Sequence, residues 1–466
     1  MEKQNRGSFT GTIGFVLAAA GSAVGLGNIW RFPYLAAKDG GGVFLLCYII
    51  LSLTFGFTLL TTEIAIGRKT GQSPLTAYSV IHPKMKWLGV IACIIPALIL
   101  PYYSAIGGWV LKYVATYLTG GAQAAMSDTY FTDFITSISS PIVWFLIYLI
   151  LTTVIVYKGV DSGIEKFSKV LMPILLILIL AISIFSLTLS HTDESGVQRT
   201  GLEGFKIYIV PNFEGMTLKR FVTILMDAMG QLFYSISVAM GIMIAYGSYV
   251  KKDINLVKSV NQIELFDTIV AFLAGMMIVP AVYTFAGTEG MKAGPSLMFV
   301  SLPKIFGAMG AFGTFIGIIF FIMVAFAALT SSVSIMEAVV SSVIDKFSIS
   351  RKRATLYVAL LACVLGIVVC LGYNIFYFDM TLPNGTVGQI LDLLDYISNF
   401  ILMPVVAIAT CILIGWVTKP KTVIDEVTLG GTKFGREKLY VVMLKYITPI
   451  MLLFLLLQAL GVIKFQ

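Results

Sequence analysis

The sequence predicts an all-α integral membrane protein with about eleven transmembrane helices, and three observations support this prediction. First, 58% of the 466 residues are hydrophobic and only 12% are charged, whereas soluble domains contain about 25% charged residues. Second, apolar segments of about 20 residues, the length of helix that crosses the hydrocarbon core of a bilayer, recur along the whole chain. Third, two of these segments are interrupted by small and polar residues near their middle.

Eleven apolar segments fit the length of a membrane-crossing helix. The eighth is longer than one crossing requires, which predicts a tilted helix or a helix that extends beyond the bilayer. The segments centre near residues 12–37, 42–66, 88–118, 141–157, 167–189, 221–247, 260–286, 309–344, 354–373, 388–417 and 439–463.

The basic residues predict the orientation of these helices. If the N-terminus is cytoplasmic, 21 of the 32 Lys and Arg residues fall at the cytoplasmic side, in agreement with the positive-inside rule. With eleven crossings the C-terminus is then extracellular. We therefore expect a multi-pass protein of the cell inner (plasma) membrane, whose partner is the lipid bilayer. Because the positive charge follows this topology, it does not indicate nucleic-acid binding.

The first apolar segment is interrupted by Gly25, Gly27 and Asn28. In lipid, a backbone N–H or C=O group without a partner costs several kcal/mol, so a broken helix persists only where something else satisfies the freed groups. This pattern predicts a binding site for an ion or a polar ligand. A simple packing kink, or a contact of small residues such as Gly21 and Gly25, is the alternative interpretation.

A second interruption, from Ser235 to Gly241, lies five segments later. Two broken helices at corresponding positions indicate two inverted repeats with a binding site between them at the middle of the membrane. The sequence therefore predicts a first five-span repeat at residues 1–190, a second, inverted repeat at 219–418, and a peripheral eleventh span at 438–466.

The run from Gly21 to Tyr34, GSAVGLGNIWRFPY, closely resembles the signature of the neurotransmitter:sodium symporter family, whose bacterial members have the leucine-transporter fold. The resemblance continues through residues 63–68, Tyr102, Tyr103, Trp109, residues 231–241, 327–332 and 392–396. It implies a sodium-coupled secondary active symporter that imports an L-amino acid by alternating access, together with two Na⁺ ions. A twelfth span, present in many family members, is missing from this sequence.

The resemblance also implies two sodium sites. Sodium prefers oxygen ligands, which unwound backbone, hydroxyl, amide and carboxylate groups supply inside a membrane protein. The hydroxyl groups of the second site could instead bond back to the preceding helical turn, which is frequent in membrane helices. The first site would comprise Ala23, Asn28, Ser235, Asp267 and the carboxylate of the substrate; the second would comprise Gly21, Val24, Ala327, Thr330 and Ser331.

The substrate pocket implied by the family is largely apolar and includes a methionine, an adaptable side chain, which favours a hydrophobic amino acid. Family members that transport monoamines have an aspartate where this chain has Gly25, so a glycine predicts a ligand with its own carboxylate. Glu63 is expected to support the second broken helix. The pocket residues are Ala23, Gly25, Gly27, Ile99, Tyr103, Tyr234, Ser237, Met240, Ser331 and Ile335.

Two pairs of charged residues are candidate gates. By resemblance, Arg31 and Asp395 would close the site from outside, and Arg6 and Asp345 would close it from the cytoplasm. Ordinary surface ion pairs, worth about 0–1 kcal/mol each, are the alternative. Chloride should not be required, because Asp267 would supply the negative charge that chloride brings in other family members.

Other classes of function stay open at this point. Asp267 and Asp395 could in principle form the carboxylate pair of an intramembrane aspartyl hydrolase, which would need them close together. A non-transporting amino-acid sensor or a substrate-gated channel could share the same fold. We expect a transporter and not an enzyme.

Overall fold

The computed structural model describes residues 7–193, 196–291 and 294–463, apart from the side chain of residue 311. The chain is almost entirely helical, as the sequence predicts. In the first half, the helices and strands are α1 (Thr12–Ala23), α2 (Leu26–Lys38), α3 (Gly42–Thr70), α4 (Pro74–Ile81), α5 (Pro83–Leu118), α6 (Ala122–Ala125), α7 (Tyr130–Thr136), α8 (Ser139–Tyr157), α9 (Val160–Leu187), β1 (Ser190–Thr192) and β2 (Gln198–Thr200).

The second half contains both short helices and further long ones. Two short antiparallel hairpins, β1 with β2 and β3 with β4, lie in connections between long helices. The remaining elements are α10 (Gly201–Ile209), α11 (Leu218–Ser235), α12 (Ile242–Gly247), α13 (Leu256–Ala286), α14 (Leu297–Ala308), α15 (Ala311–Phe347), α16 (Arg351–Leu371), β3 (Met380–Thr381), β4 (Val387–Gly388), α17 (Ile390–Val417), α18 (Lys421–Val427) and α19 (Glu437–Ala459).

Nine helices of the described residues are long and apolar enough to cross a membrane, and the bent pair α1 and α2 makes a tenth. The predicted sixth span, 221–247, corresponds to α11 and α12. Because residues 236–241 divide it, neither part qualifies as a crossing by length and composition alone. The other predicted segments agree with observed helices, with ends that differ by several residues at most.

Burial separates the central helices from those that face lipid. About 72% of the most apolar window of α3 is buried inside the protein, but only 33% of that of α8 and of α19. The outer faces of the peripheral helices expose large apolar side chains, such as Ile150 on α8 and Leu360 on α16. A helix that is apolar on all sides and exposed on one of them is expected where lipid replaces water.

The two broken helices lie against each other in opposite directions. The first part of one, α1, contacts the second part of the other, α12, while α2 contacts α11. Helices α13 and α15 pack against α1 and complete the surroundings of the breaks. This antiparallel arrangement is the one that inverted repeats require; the repeat boundaries at 190, 219 and 418 stay predictions.

Close packing of α3 against α12 depends on glycine. A Cβ atom at Gly67 would lie 2.1 Å from the carbonyl oxygen of Ile244, and one at Gly247 would lie 2.3 Å from that of Ile64. Real Cβ atoms do not approach backbone oxygens this closely, so larger residues would force the two helices apart. This contact places Glu63 on α3 beside the second break.

Candidate functional site

The first break is short. Helix α1 ends at Ala23, α2 begins at Leu26, and their axes differ by 55°. Gly25 has an extended backbone that any residue can adopt (φ −123°, ψ −168°), so a preference for glycine there comes from the space around it and not from the backbone. A Cβ atom there would lie 3.1 Å from Ser331 Oγ and 3.2 Å from the Tyr103 hydroxyl oxygen.

The second break, residues 236–241, is longer and has a different backbone. Ser237, Ala239 and Gly241 all have positive φ angles, of 54°, 60° and 74°. This left-handed conformation costs a residue other than glycine roughly 1–2 kcal/mol. Two contacts hold it: the Ala239 N–H donates to Glu63 Oε1 at 2.6 Å, and the Ser237 hydroxyl donates to the Ser22 carbonyl at 2.9 Å. Glu63 thus contacts the segment that the sequence predicts it to support.

A cavity of about 300 Å³ lies between the two breaks and helices α5, α15 and α17. All ten residues predicted to bind substrate line this cavity: Ala23, Gly25, Gly27, Ile99, Tyr103, Tyr234, Ser237, Met240, Ser331 and Ile335. Further lining residues, which the sequence analysis does not assign to the pocket, include Ser22, Leu26, Trp30, Ile106, Asn399 and Phe400.

The polar groups of the cavity are distributed unevenly. The Tyr103 hydroxyl is buried and has no hydrogen-bond partner among the described residues, and the same holds for Gln231 Oε1. The hydroxyl groups of Ser22 and Ser237, in contrast, bond each other at 3.0 Å. Unpaired buried polar groups are costly, so the vicinity of Tyr103 and the first break is suited to the polar part of a ligand.

The four residues predicted for the first sodium site lie around the first break. Ser235 Oγ is 2.7 Å from Asn28 Oδ1 and 2.8 Å from Asp267 Oδ1. Asn28 Nδ2 donates to the same carboxylate oxygen at 3.1 Å. Ala23 is the last residue of α1, where carbonyl groups have no helical partner. Hydroxyl, amide and carboxylate oxygens are therefore clustered in a buried position, as a sodium ion requires.

The residues predicted for the second sodium site are also brought together. Ser331 Oγ lies 3.4 Å from the Gly21 carbonyl oxygen and 3.3 Å from that of Val24. Thr330 Oγ1 lies 3.0 Å from the carbonyl oxygen of Ala327. Thr330 Oγ1 also lies 3.1 Å from the Phe326 carbonyl oxygen, so both of these contacts are bonds to the preceding turn of its own helix; Thr330 approaches the first break at Gly21, where a Cβ atom would lie 3.3 Å from Thr330 Cβ. Ser331 faces the first break.

Asp267 and Asp395 belong to separate hydrogen-bond networks. Asp267 is fully buried, and Tyr48 donates to its Oδ2 at 3.1 Å in addition to the contacts with Asn28 and Ser235. Asp395 lines the cavity and accepts from Tyr102. Within the described ranges, no three His, Cys, Asp or Glu residues are grouped as metal ligands. Each of the two carboxylates thus has hydrogen-bond partners of its own.

The predicted outer gate residues share the cavity without forming an ion pair in the described structure. The Arg31 guanidinium lies over the ring of Tyr234, 4.8 Å from its centroid. Asp395 Oδ1 accepts from the Tyr102 hydroxyl at 3.0 Å and from Asn399 Nδ2 at 2.6 Å. At the other end, Asp345 Oδ2 accepts from the Ser73 N–H at 2.6 Å. Its predicted partner, Arg6, lies outside the described residues.

The contacts of three residues in this site, Ser22, Asn399 and Tyr102, were not predicted from the sequence. Ser22 lies inside the recognised motif, and its position beside the break was an available signal. The partners of Asp395 had a weaker signal: Asn399 follows it by four residues, a spacing that puts two side chains on one helix face. Tyr102 belongs to a different helix, α5, and no local pattern links it to Asp395.

Comparisons with known proteins agree with this architecture. The family model described as the sodium:neurotransmitter symporter family matches residues 6–139 and 129–466. The chain is 33% identical to the uncharacterized sodium-dependent transporter YhdH of Bacillus subtilis, over all of both chains. It is 32% identical to one of Methanocaldococcus jannaschii, over 89% of this chain and 83% of the relative.

A solved structure provides a further comparison. MhsT in complex with L-phenylalanine superposes with a TM-score of 0.83 at 33% identity, over 97% of this chain and 100% of MhsT.

Proposed function

Because the chain belongs to the sodium:neurotransmitter symporter family, we propose that it imports a hydrophobic L-amino acid together with sodium, by alternating access. The family consists of sodium-dependent transporters and not of enzymes, and the chain is a multi-pass membrane protein. The identity of the cargo, the number of ions and the direction of transport belong to the proposal.

The observation that supports this function best is the meeting of both helix breaks at one cavity. The Asn28 N–H already donates to the Gly25 carbonyl at 3.2 Å, but the N–H groups before it lie ahead of the helical hydrogen-bond ladder of α2 and, together with the positive end of the helix dipole, favour an anion. The unpaired Tyr103 hydroxyl adds a donor beside Gly25. We assign the α-carboxylate of the substrate to Gly25, Gly27 and Tyr103, where it would also approach the first sodium ion.

The apolar walls determine the preferred side chain. Ile99 on α5, Met240 in the second break and Ile335 on α15 line the cavity, and the nearby Ser237 hydroxyl already donates to the Ser22 carbonyl. A polar substrate side chain would find few free partners there, so a hydrophobic one is favoured. The L-phenylalanine in the related MhsT structure supports an amino acid of this type.

Two sodium ions would supply the energy for accumulation. With a tenfold gradient and a potential of 100 mV, the two ions together provide about 7 kcal/mol, enough for roughly 10⁵-fold accumulation of a zwitterion. In the first site, the carboxylate of Asp267 would balance positive charge in surroundings of low dielectric constant. We propose that transport is for this reason independent of chloride.

Alternating access requires gates on both sides of the cavity. We assign Arg31 and Asp395 to the outer gate and Arg6 and Asp345 to the cytoplasmic gate, with the N-terminus in the cytoplasm. Arg31 forms no ion pair with Asp395 in the described structure, so in this assignment the outer gate is not closed. Closure would bring Arg31 over the substrate.

Uptake into proteoliposomes tests the proposed function. An inward sodium gradient should drive accumulation of at least one labelled hydrophobic amino acid from a panel of all twenty, and a potassium gradient should not. Tyramine and tryptamine, which lack the carboxylate, should compete far less than tyrosine and tryptophan. Equal competition would contradict the carboxylate assignment, and sodium-dependent binding without accumulation would indicate a sensor instead.

Replacement of chloride tests the role of Asp267. Uptake should be unchanged when gluconate replaces external chloride, because the fixed carboxylate already supplies the negative charge. Asp267→Asn should abolish uptake in gluconate, since the first site loses a full charge. A several-fold loss of wild-type uptake in gluconate would contradict the proposal.

A further inference from the structure

Asp395 accepts two hydrogen bonds from residues other than Arg31. It precedes a π-helical turn of α17, Tyr396–Leu402, and such turns are wider than α-helical ones and frequent at functional sites. The wide turn brings Asn399 almost directly beneath Asp395, and their side chains bond at 2.6 Å. Tyr102, from α5, donates to the same carboxylate oxygen.

The amide of Asn399 has a defined orientation within this network. Its Nδ2 group contacts both Asp395 Oδ1 and, at 3.2 Å, the Tyr102 hydroxyl oxygen. Rotation of the amide by 180° would place its oxygen against the carboxylate, which is electrostatically unfavourable. Asn399 Oδ1 must therefore point the other way.

Asn399 Oδ1 is a buried acceptor that lacks a partner among the described residues. Its side chain lines the same cavity as Arg31, and Phe400, the next residue, packs against Tyr234, over which Arg31 lies. A guanidinium group carries five N–H donors in a planar fork, so it can bind two acceptors at once. One acceptor oxygen on each of two neighbouring side chains fits that geometry.

We propose that Asn399 is a positioning residue of the outer gate. Its amide N–H holds Asp395 in place, and its amide oxygen becomes the second acceptor for Arg31 when the gate closes. This inference rests on the gate assignment in the proposed function and adds a member to that gate. With two acceptors on one face of α17, the guanidinium group of Arg31 has a single orientation in the closed gate. With one carboxylate as its partner, it could rotate about that contact.

A double-mutant cycle tests the coupling of Asn399 to Arg31. The rate of dissociation of labelled L-phenylalanine from purified protein in sodium is compared for the parent, Asn399→Ala, Arg31→Ala and the double variant. We expect each single variant to release the label about tenfold faster, because a charge-assisted hydrogen bond is lost. The double variant should release it no faster than Arg31→Ala alone. Effects that multiply would show that Asn399 acts independently of Arg31 and would overturn the proposal.

Two further variants separate this role from simple support of the helix. Asn399→Gln keeps both the N–H donor and the acceptor oxygen and should keep most of the coupling to Arg31. Asn374→Ala removes an amide that bonds the Ser137 carbonyl away from the cavity, and dissociation should not change. If Asn374→Ala and Asn399→Ala had the same effect, a general loss of stability would be the cause.

An accessibility measurement makes the test independent of the substrate. Ile106 lines the cavity one helical turn beyond Tyr102, so Ile106→Cys reacts with an impermeant methanethiosulfonate reagent only while the outer gate is open. In potassium buffer, without any amino acid, Asn399→Ala should raise the reaction rate several-fold. An unchanged rate would overturn the proposal, whereas a chain that binds no amino acid in the first assay would contradict only the proposed function.

Discussion

Two residues, Val24 and Gly25, interrupt the first broken helix, whereas six residues, 236–241, interrupt the second. The first break has no positive φ angle, and its glycine is favoured because a Cβ atom there would lie only 3.1 Å from Ser331 Oγ and 3.2 Å from the Tyr103 hydroxyl oxygen. The second break contains positive φ angles at Ser237 and Ala239, where glycine would be the usual residue. The space around the backbone therefore restricts which residues fit in the first break, and the backbone conformation restricts which residues fit in the second.

This difference indicates a division of roles between the breaks. A short break with a crowded glycine presents N–H and C=O groups at fixed positions, which suits ions and a carboxylate. A long, strained break persists only where surrounding contacts hold it, and here Glu63 provides such a contact from α3. The second break is consequently the one that should depend on a residue outside its own helix.

The largest effect should come from Glu63→Ala. Removal of the carboxylate leaves the buried Ala239 N–H without a partner, which costs about 1.5–3 kcal/mol. We expect sodium-dependent binding to weaken by about 10- to 100-fold, measured by equilibrium binding of a labelled amino acid. Glu63→Gln keeps an acceptor oxygen and should retain most of the affinity. Equal losses in both variants would mean that the charge of Glu63, and not its hydrogen bond, is required.

A smaller but specific effect is expected for Gly25→Ala at the first break. The added methyl group would lie against Ser331 Oγ and the Tyr103 hydroxyl, where we assign the carboxylate of the substrate. Affinity for the amino acid should fall by about tenfold, while the thermal stability changes little because the backbone there is relaxed. A loss of stability with unchanged affinity would contradict the comparison of the two breaks.

The first break was accessible to sequence analysis, and the second only in part. The motif from Gly21 to Tyr34 identifies the position of the first break, because glycine and asparagine in a membrane helix are conspicuous. Nothing in the residues of the second break predicts left-handed Ser237 and Ala239, since these residue types rarely adopt that conformation. The conformation follows from contacts with α1 and α3, which lie more than 170 residues away in the chain.

The same limit applies to the gate and to the helix ends. The family resemblance predicts Arg31 and Asp395 as a pair, but the competing partners Tyr102 and Asn399 depend on how α5 packs against α17. The π-helical turns in α3, α9, α17 and α19 change which side chains align, and hydrophobicity alone does not reveal them. Hydrophobic length, in contrast, predicted most of the membrane-crossing helices, because it reflects the thickness of the bilayer directly.

Asp39 and Asp227 form an acidic pair between the two broken helices, which gives a pH-dependent prediction. Asp39 follows α2, and Asp227 lies on α11; Lys38 donates to Asp227 at 2.9 Å, and Arg220 also faces the pair. Burial is the largest cause that raises the pKa of Asp39, and the charge of Asp227 is the next. Lys38 lowers this pKa, and the result is a value of about 7. The neutral form of Asp39 is thus favoured in the folded protein.

The sign of the effect follows from proton binding. Between the ordinary pKa of an aspartate, about 3.9, and about 7, the folded protein binds more protons than the unfolded chain, so stability falls as the pH rises through this range. In thermal unfolding, Asp39→Asn should lack this part of the pH dependence. At pH 8.5 the variant should be more stable than the parent protein, by on the order of 1 kcal/mol. Asp253→Asn, at an exposed aspartate, should keep the parental profile. If Asp39→Asn also kept it, the pair would not titrate as inferred.

The smallest effect, Ala239→Gly, tests strain at the second break directly. Glycine removes the roughly 1–2 kcal/mol cost of the left-handed conformation but gains about 0.4–1 kcal/mol of freedom in the unfolded chain. The Ala239 N–H still donates to Glu63, but the buried methyl group of Ala239 is lost as well, at about 0.8 kcal/mol. The unfolding free energy should therefore change by less than about 1 kcal/mol. Val24→Gly at the first break relieves no strain, because φ there is −77°, and it also removes a buried side chain. It should therefore destabilise the protein in the same thermal unfolding assay. If both glycine variants destabilised the protein equally, the two breaks would not differ in strain, and the positive φ of Ala239 would be as easily accommodated as the extended backbone of the first break.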